Sequence, residues 1–220
     1  MMLDVAARDH LKSALRTTVG PFLRQQNFKG SGTSWLLRSP SNDVAIVNVQ
    51  SSQFSSADDV RCVINLSVIP ASWWDWQCRR LALSPSSAPK EQHGLWRYRL
   101  HPTGAEPGVD VWWNVTDEQS STDVASDMVI RLQREGVPTL RRLLDRSEMI
   151  ASVRRADLGH LKGDVNRRSF DRALAILLAD EDPSAELEEV LLRLAVDHGD
   201  GAGAATRELI EWVTARASAK

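Results

Sequence analysis

The sequence predicts an α+β protein: an N-terminal helix, a five-stranded antiparallel meander sheet and a C-terminal helical region. Three observations predict it. Apolar residues recur every three or four positions over the first 27 residues. They alternate with polar ones between residues 33 and 115, and they return to helical spacing from residue 120 onward. Most connections between the strand-like segments are short, which favours antiparallel neighbours.

The first helix is carried by Leu3, Ala6, Ala7, Leu11, Leu15 and Val19. Gly20-Pro21 interrupts it, and because proline lacks a backbone donor the helix is expected to bend or restart there. Lys29-Gly30-Ser31-Gly32 reads as a turn. Strands are expected over 33–38, 43–52, 61–69, 95–101 and 109–115, with Ser39-Pro40-Ser41-Asn42 suited to a hairpin between the first two. Residues 70–94 read as a long surface loop containing Pro85 and Pro89. Beyond Ser120 one amphipathic run ends near Gly136, and Pro138-Thr139-Leu140 opens another. A third spans 165–179 through Val165, Phe170, Leu174 and Leu177. Asp182 is expected to cap a further helix with Pro183 in its first position. The glycine-rich stretch 198–203 separates that helix from a last one marked by Leu209, Trp212 and Val213. The organisation expected is an α+β domain over 1–146 and a helical extension over 147–220 packed on it.

Composition narrows the function classes. The net charge is −2, with residues 1–116 net positive and 117–220 net negative. That balance argues against a protein that binds nucleic acid through its overall positive field, and against a polybasic membrane binder. No apolar run approaches the roughly 20 residues of a spanning helix. The start lacks a basic stretch followed by an apolar one, so no secretory leader is expected and the cytoplasm is the expected location. Cys62 and Cys78 are the two cysteines, and they sit far from any metal-ligand spacing. No metal or cofactor is expected. Arginine makes up 22 of the 27 basic residues, which hints at a bacterial source with a GC-rich genome. Eight of the thirteen aromatic residues are tryptophan, an excess that asks for a cause.

Strand alternation sorts residues by face. Cys62, Ile64, Leu66 and Val68 define a core face, matched by Ala45, Val47 and Val49, by Trp96, Tyr98 and Leu100, and by Val111, Trp113 and Val115. The opposite face presents Asn48, Gln50 and Ser52, then Asn65 and Ser67, then Arg97, Arg99 and His101, and finally Asp110, Trp112 and Asn114. One solvated face is normal for an antiparallel sheet. Amides, guanidinium groups and an exposed indole also suit a recognition surface, since Trp and Arg anchor many interfaces. Trp112, Arg97 and Arg99 lead the candidates, with His101, Asn48, Gln50 and Asn65 around them. Trp73 and Trp74, in the run Ser72-Trp73-Trp74-Asp75-Trp76, either pin the long loop to the body or form an aromatic patch.

Several segments resemble the bacterial domain-of-unknown-function family 4304. They are Phe22-Leu23-Arg24-Gln25-Gln26-Asn27-Phe28-Lys29, Thr33-Ser34-Trp35, Ile46-Val47-Asn48-Val49-Gln50-Ser51-Ser52, Val63-Ile64-Asn65-Leu66-Ser67-Val68 and Gly136-Val137-Pro138-Thr139-Leu140. The resemblance covers residues 8–145. Asn27 stands where the family often has glycine, and Ser51 where it often has a basic residue. The resemblance implies a helix before an antiparallel sheet and helices after it, and it implies no activity.

The chain has no G-x-S-x-G elbow, no P-loop, no H-E-x-x-H and no dinucleotide fingerprint after a strand. The function expected is therefore a non-catalytic module that binds a protein partner, of immunity or regulatory type, through the polar sheet face. One alternative is an enzyme acting on a small anionic or nucleotide substrate, with His101 and Asp110 as an acid–base pair and Arg97 or Arg99 holding the anion. That alternative requires a concave pocket at those residues. Another is single-strand nucleic-acid binding, with Trp112 stacking on bases. If the C-terminal helices covered the face, its amides would only fix the sheet.

Overall fold

The structure is a computed structural model that describes residues 6–84, 87–196 and 203–219. The chain opens with helix α1 (Ala7–Ala14), one wider π turn (Leu15–Val19) and α2 (Gly20–Gln25). The expected break at Pro21 is thus a widened turn through which the helix continues. The same device recurs where α4 (Glu118–Arg131) runs through a π turn (Leu132–Gly136) into α5 (Val137–Leu143). Pro21 and Pro138 each occupy the second position after the wide turn, where a missing backbone donor is tolerated.

The sheet has six strands: β1 (Lys29–Ser31), β2 (Ser34–Arg38), β3 (Val44–Ser51), β4 (Val60–Ile69), β5 (Trp96–Leu100) and β6 (Trp113–Val115). β1 to β5 follow one another as an antiparallel meander. The extra strand β1 comes from the segment expected to be a turn. β6 also pairs with β4, at Val60–Cys62, while β5 pairs at Ile64–Val68. The last two strands therefore share one edge of the ten-residue β4. The expected strand over 109–115 contracts to three residues, because Asp110 and Trp112 are tied into a loop by their own side-chain bonds.

Register confirms the assignment of faces. Trp35, Val47, Leu66 and Tyr98 lie in one row, and Ser34, Asn48, Asn65 and Arg99 lie in another on the opposite side. The inner face packs against α1, α4 and α5 in a core that includes Val19, Trp35, Val47, Leu66, Met128, Leu132 and Leu140. Trp96 and Trp113 belong to it, as expected. Tyr98 shares their face but stays about one-third exposed, because β5 lies at the sheet's rim.

The outer face is not polar throughout. Val44, Ile46 and Ile69 form a second small apolar cluster at one end, with Leu36 beside them. It is covered by α3 (Ala71–Arg80), which occupies much of the segment expected to be a loop. Trp73 and Trp74 of α3 pack on that cluster. Trp76 turns into the main core and meets Trp212 at 5.5 Å. A single 3₁₀ turn (Glu91–His93) leads into β5. There Trp73 Nε1 donates to the His93 carbonyl at 3.0 Å, and Trp74 lies 5.0 Å from the His93 ring.

The C-terminal part comprises α6 (Arg146–Arg154), α7 (Arg167–Leu178), α8 (Ala185–Val196) and α9 (Gly203–Ala217). Their inner faces, including Phe170, Ile176, Val190, Leu209 and Val213, join the same core. Ser184, rather than Asp182, supplies the side-chain cap of α8, accepting from the Leu187 amide at 3.2 Å. The expected chain break over 198–203 lies almost wholly outside the described residues. No helix among the described residues is long and apolar enough to cross a membrane.

Candidate functional site

The polar end of the outer face is a hydrogen-bonded chain of side chains. Asn65 Nδ2 donates to Gln50 Oε1 at 2.7 Å, and Arg99 Nε donates to Asn65 Oδ1 at 3.3 Å. Arg99 Nη1 reaches both carboxylate oxygens of Asp110 at 3.0 Å, and Trp112 Nε1 donates to the same carboxylate at 3.1 Å. The Arg99 guanidinium also lies over the Trp112 ring, 5.2 Å from its centre. Burial pushes the Asp110 carboxyl up, but the bonds from Arg99 and Trp112 and the Arg99 charge outweigh it and hold the carboxyl below its ordinary value. Gln50, Asn65 and Arg99 thus position one another across three strands, and the loop before β6 is anchored to β5 through Asp110.

His101 ends the row. Its Nδ1 lies 2.9 Å from the Val111 carbonyl and 3.9 Å from Asp110. A carbonyl only accepts, so Nδ1 carries the proton and the neutral ring keeps its basic lone pair on Nε2. The expected His101–Asp110 pair is therefore near but not directly bonded.

Arg97 stands one row away and is held differently. Its backbone amide donates to the Leu158 carbonyl at 3.1 Å, and its strand edge forms a parallel bridge with Gly159. Gly159 has φ +76°, and a Cβ there would lie 2.2 Å from the Arg97 carbonyl, so only glycine permits the approach. The Arg97 Nε is buried and has no hydrogen-bond partner. None of the ion pairs among the described residues involves this guanidinium.

These elements enclose a cleft of about 370 Å³ lined by Glu91, Arg97, Arg99, His101, Asp110 and His160, with Asn65 in its floor. Burial raises the Glu91 carboxyl, against the pull of Arg97 and Arg99. Burial and the Arg97 charge lower His160, whose Nδ1 bonds the Leu158 carbonyl at 3.0 Å. The cleft can seat a small anionic group beside one uncommitted guanidinium, with two imidazoles and a poorly solvated carboxyl within the same walls.

Of the residues singled out from sequence, Arg97, Arg99, His101 and Asn65 come together here. Gln50 and Trp112 are tied to them through Asn65 and Asp110. Asn48 is not part of the cleft and donates to the Thr33 carbonyl instead. Trp73 and Trp74 lie away from it, under α3, as anchors. Glu91, Gly159 and His160 were missed. Nothing local marks them, since they arrive from a turn whose sequence reads as loop and from a segment about sixty positions beyond β5. Among the described residues no group of three His, Cys, Asp or Glu side chains is arranged to hold a metal ion.

An α+β protein bearing an arginine-lined cleft on the outer face of an antiparallel meander is the class that fold and site define. The chain belongs to the family described as a domain of unknown function, DUF4304, whose model matches residues 19–142. That span holds the sheet and most of the cleft, and it ends before the Leu158–His160 wall. No curated protein and no solved structure matches the chain.

Proposed function

We propose that this chain is a non-catalytic binding module, a regulatory or immunity-type partner of another protein in the bacterial cytoplasm. It takes an acidic side chain or terminus of that partner into the outer-face cleft. The observation that carries this reading is the Arg97 guanidinium, with Nε buried and unpartnered beside an Arg99 already neutralised by Asp110. A buried donor without an acceptor costs free energy, and a partner's carboxylate relieves that cost on binding. Trp112, held beside the cleft by Asp110 and Arg99, supplies the amphipathic contact area that interfaces favour. The second reading, an enzyme for a small anionic or nucleotide substrate, draws on Glu91 and His160, two groups shifted in opposite directions beside one cleft.

The test is quantitative capture with the full chain as bait, alongside its R97Q and W112A variants. A partner held stoichiometrically by the native chain and weakened about tenfold or more by R97Q supports the proposal, as expected for losing one charge-assisted hydrogen bond. Equal retention by all three baits overturns it.

A further inference from the structure

A second concavity, of about 290 Å³, lies between α3, α7 and α9 and shares no lining residue with the outer-face cleft. Its apolar wall is made by Trp73, Trp76, Ile176 and Leu209, and its polar side by Arg80 and Arg172. Arg168 stands one helical turn before Arg172. Both donate through Nη2 to the same acceptor, the buried hydroxyl of Thr206, at 3.2 Å each. Two guanidinium groups therefore converge on one oxygen, and Arg80 is close enough that its charge, with that of Arg168, helps burial lower Arg172. The Arg168 Nε is buried without a hydrogen-bond partner.

Nothing among the described residues balances this charge. Arg80, Arg168 and Arg172 take part in none of the ion pairs there, and Arg80 bonds only the Gln77 amide. The neighbouring acid, Asp171, is committed to Arg193 at 2.7 Å. Arg168 also sits in the first turn of α7, where the helix dipole is positive and a cation is disfavoured. Thr206 lies in the first turn of α9, so a second positive helix end faces the same place. Arg168 and Arg172 converge on Thr206 beside the first turns of α7 and α9, and Arg80, in the last turn of α3, adds a third like charge. Such an arrangement costs stability when empty and is relieved by an anion.

We propose that this pocket binds a small organic phosphate, with the phosphate between Arg80 and Arg172, the charge of Arg168 added from beside Thr206, and a flat apolar body against Trp73 and Trp76. A phosphate monoester suits the charge better than a carboxylate, because its two charges and three terminal oxygens can use several guanidinium donors at once. The volume stands at the lower end for small-molecule sites, and the tryptophan wall favours a planar group.

Phenyl phosphate is the probe, with inorganic phosphate and phenol as its separate halves, titrated calorimetrically into the full chain in phosphate-free buffer. Phenyl phosphate is expected to bind about tenfold or more tightly than inorganic phosphate, and phenol not measurably. R168Q and R172Q should each weaken phenyl phosphate about tenfold or more, and R97Q should leave it unchanged. On the native chain, phenyl phosphate should shift the Trp73 and Trp76 indole resonances and leave Trp112 in place, which decides the matter even if a variant fails to fold. No binding at millimolar probe, equal binding by R168Q and R172Q, or shifts confined to Trp112 would overturn the proposal. The last outcome would move the anion to the outer-face cleft and leave the reading of that cleft standing.

Discussion

Asp43 and Arg146 stand 103 positions apart and meet at 2.7 Å. The Asp43 side chain is 3% exposed, and its second service is to accept from the Ala71 amide at 2.7 Å, which caps the start of α3. Arg146 continues to the Ser72 hydroxyl and to Asp180, and Asp180 in turn holds Arg216. A buried pair of this kind adds little net stability over an apolar substitute, but half of one is costly. Arg146→Met leaves Asp43 buried and uncompensated, and should lose about 3–5 kcal/mol in urea unfolding. The double change Asp43→Leu with Arg146→Met should regain most of it. A single-variant loss under about 1 kcal/mol would show that water reaches Asp43. None of this was legible in the sequence, where Asp43 was the first residue of a strand and Arg146 fell at a boundary. Pairing across such distances follows from the fold and has no local signature. Residues that alternate along strands were legible, because alternation is a local property: Cys62, placed in the core from its strand position, is buried with its thiol pushed up to about 12 by desolvation.

At the scale of elements, β2 to β5 are legible in the sequence, whereas β1, the shortness of β6 and the helix between β4 and β5 are not. The outer-face end of β3 reads Val44 and Ile46 where a polar residue would mark solvent, and that is the signal that an element must cover it. α3 is that element. Its tryptophans seemed too many for one face because two sheet faces share them: Trp73 and Trp74 serve the outer cluster and Trp76 the inner core. Helical spacing was hidden by Ser72 and Asp75, which are weak helix formers. The loop before α7 matters as much to the cleft. Gly159→Ala demands both a left-handed backbone and room that the Arg97 carbonyl occupies, so the Leu158–Gly159 segment should release from β5. The expected result is faster hydrogen exchange at the Arg97 amide, with a stability loss of more than about 1 kcal/mol. Unchanged protection of that amide would mean that the bridge to Leu158 is not what holds the wall.

For the whole molecule, the inner-face core runs without interruption from Ala7 to Val213, across the boundary expected near residue 146. Apolar contact of that extent couples the sheet to the C-terminal helices. Calorimetry should therefore record one transition whose van't Hoff and calorimetric enthalpies agree. Two resolved transitions would show that the C-terminal helices melt apart from the sheet despite the shared core. The tryptophan excess also has its cause at this scale, since the chain must fill an inner core, roof part of the outer face and close the seam between α3 and α9. The way the sheet ends has a further consequence. A strand edge with free amides and carbonyls invites pairing with another chain. Here one rim is a three-residue strand that begins with Lys29, and the other is occupied at Arg97 by Leu158 and Gly159. The peptide segment that walls the cleft is thus also a plug against sheet-to-sheet growth, and loosening it should cost the protein solubility at high concentration before it costs the fold.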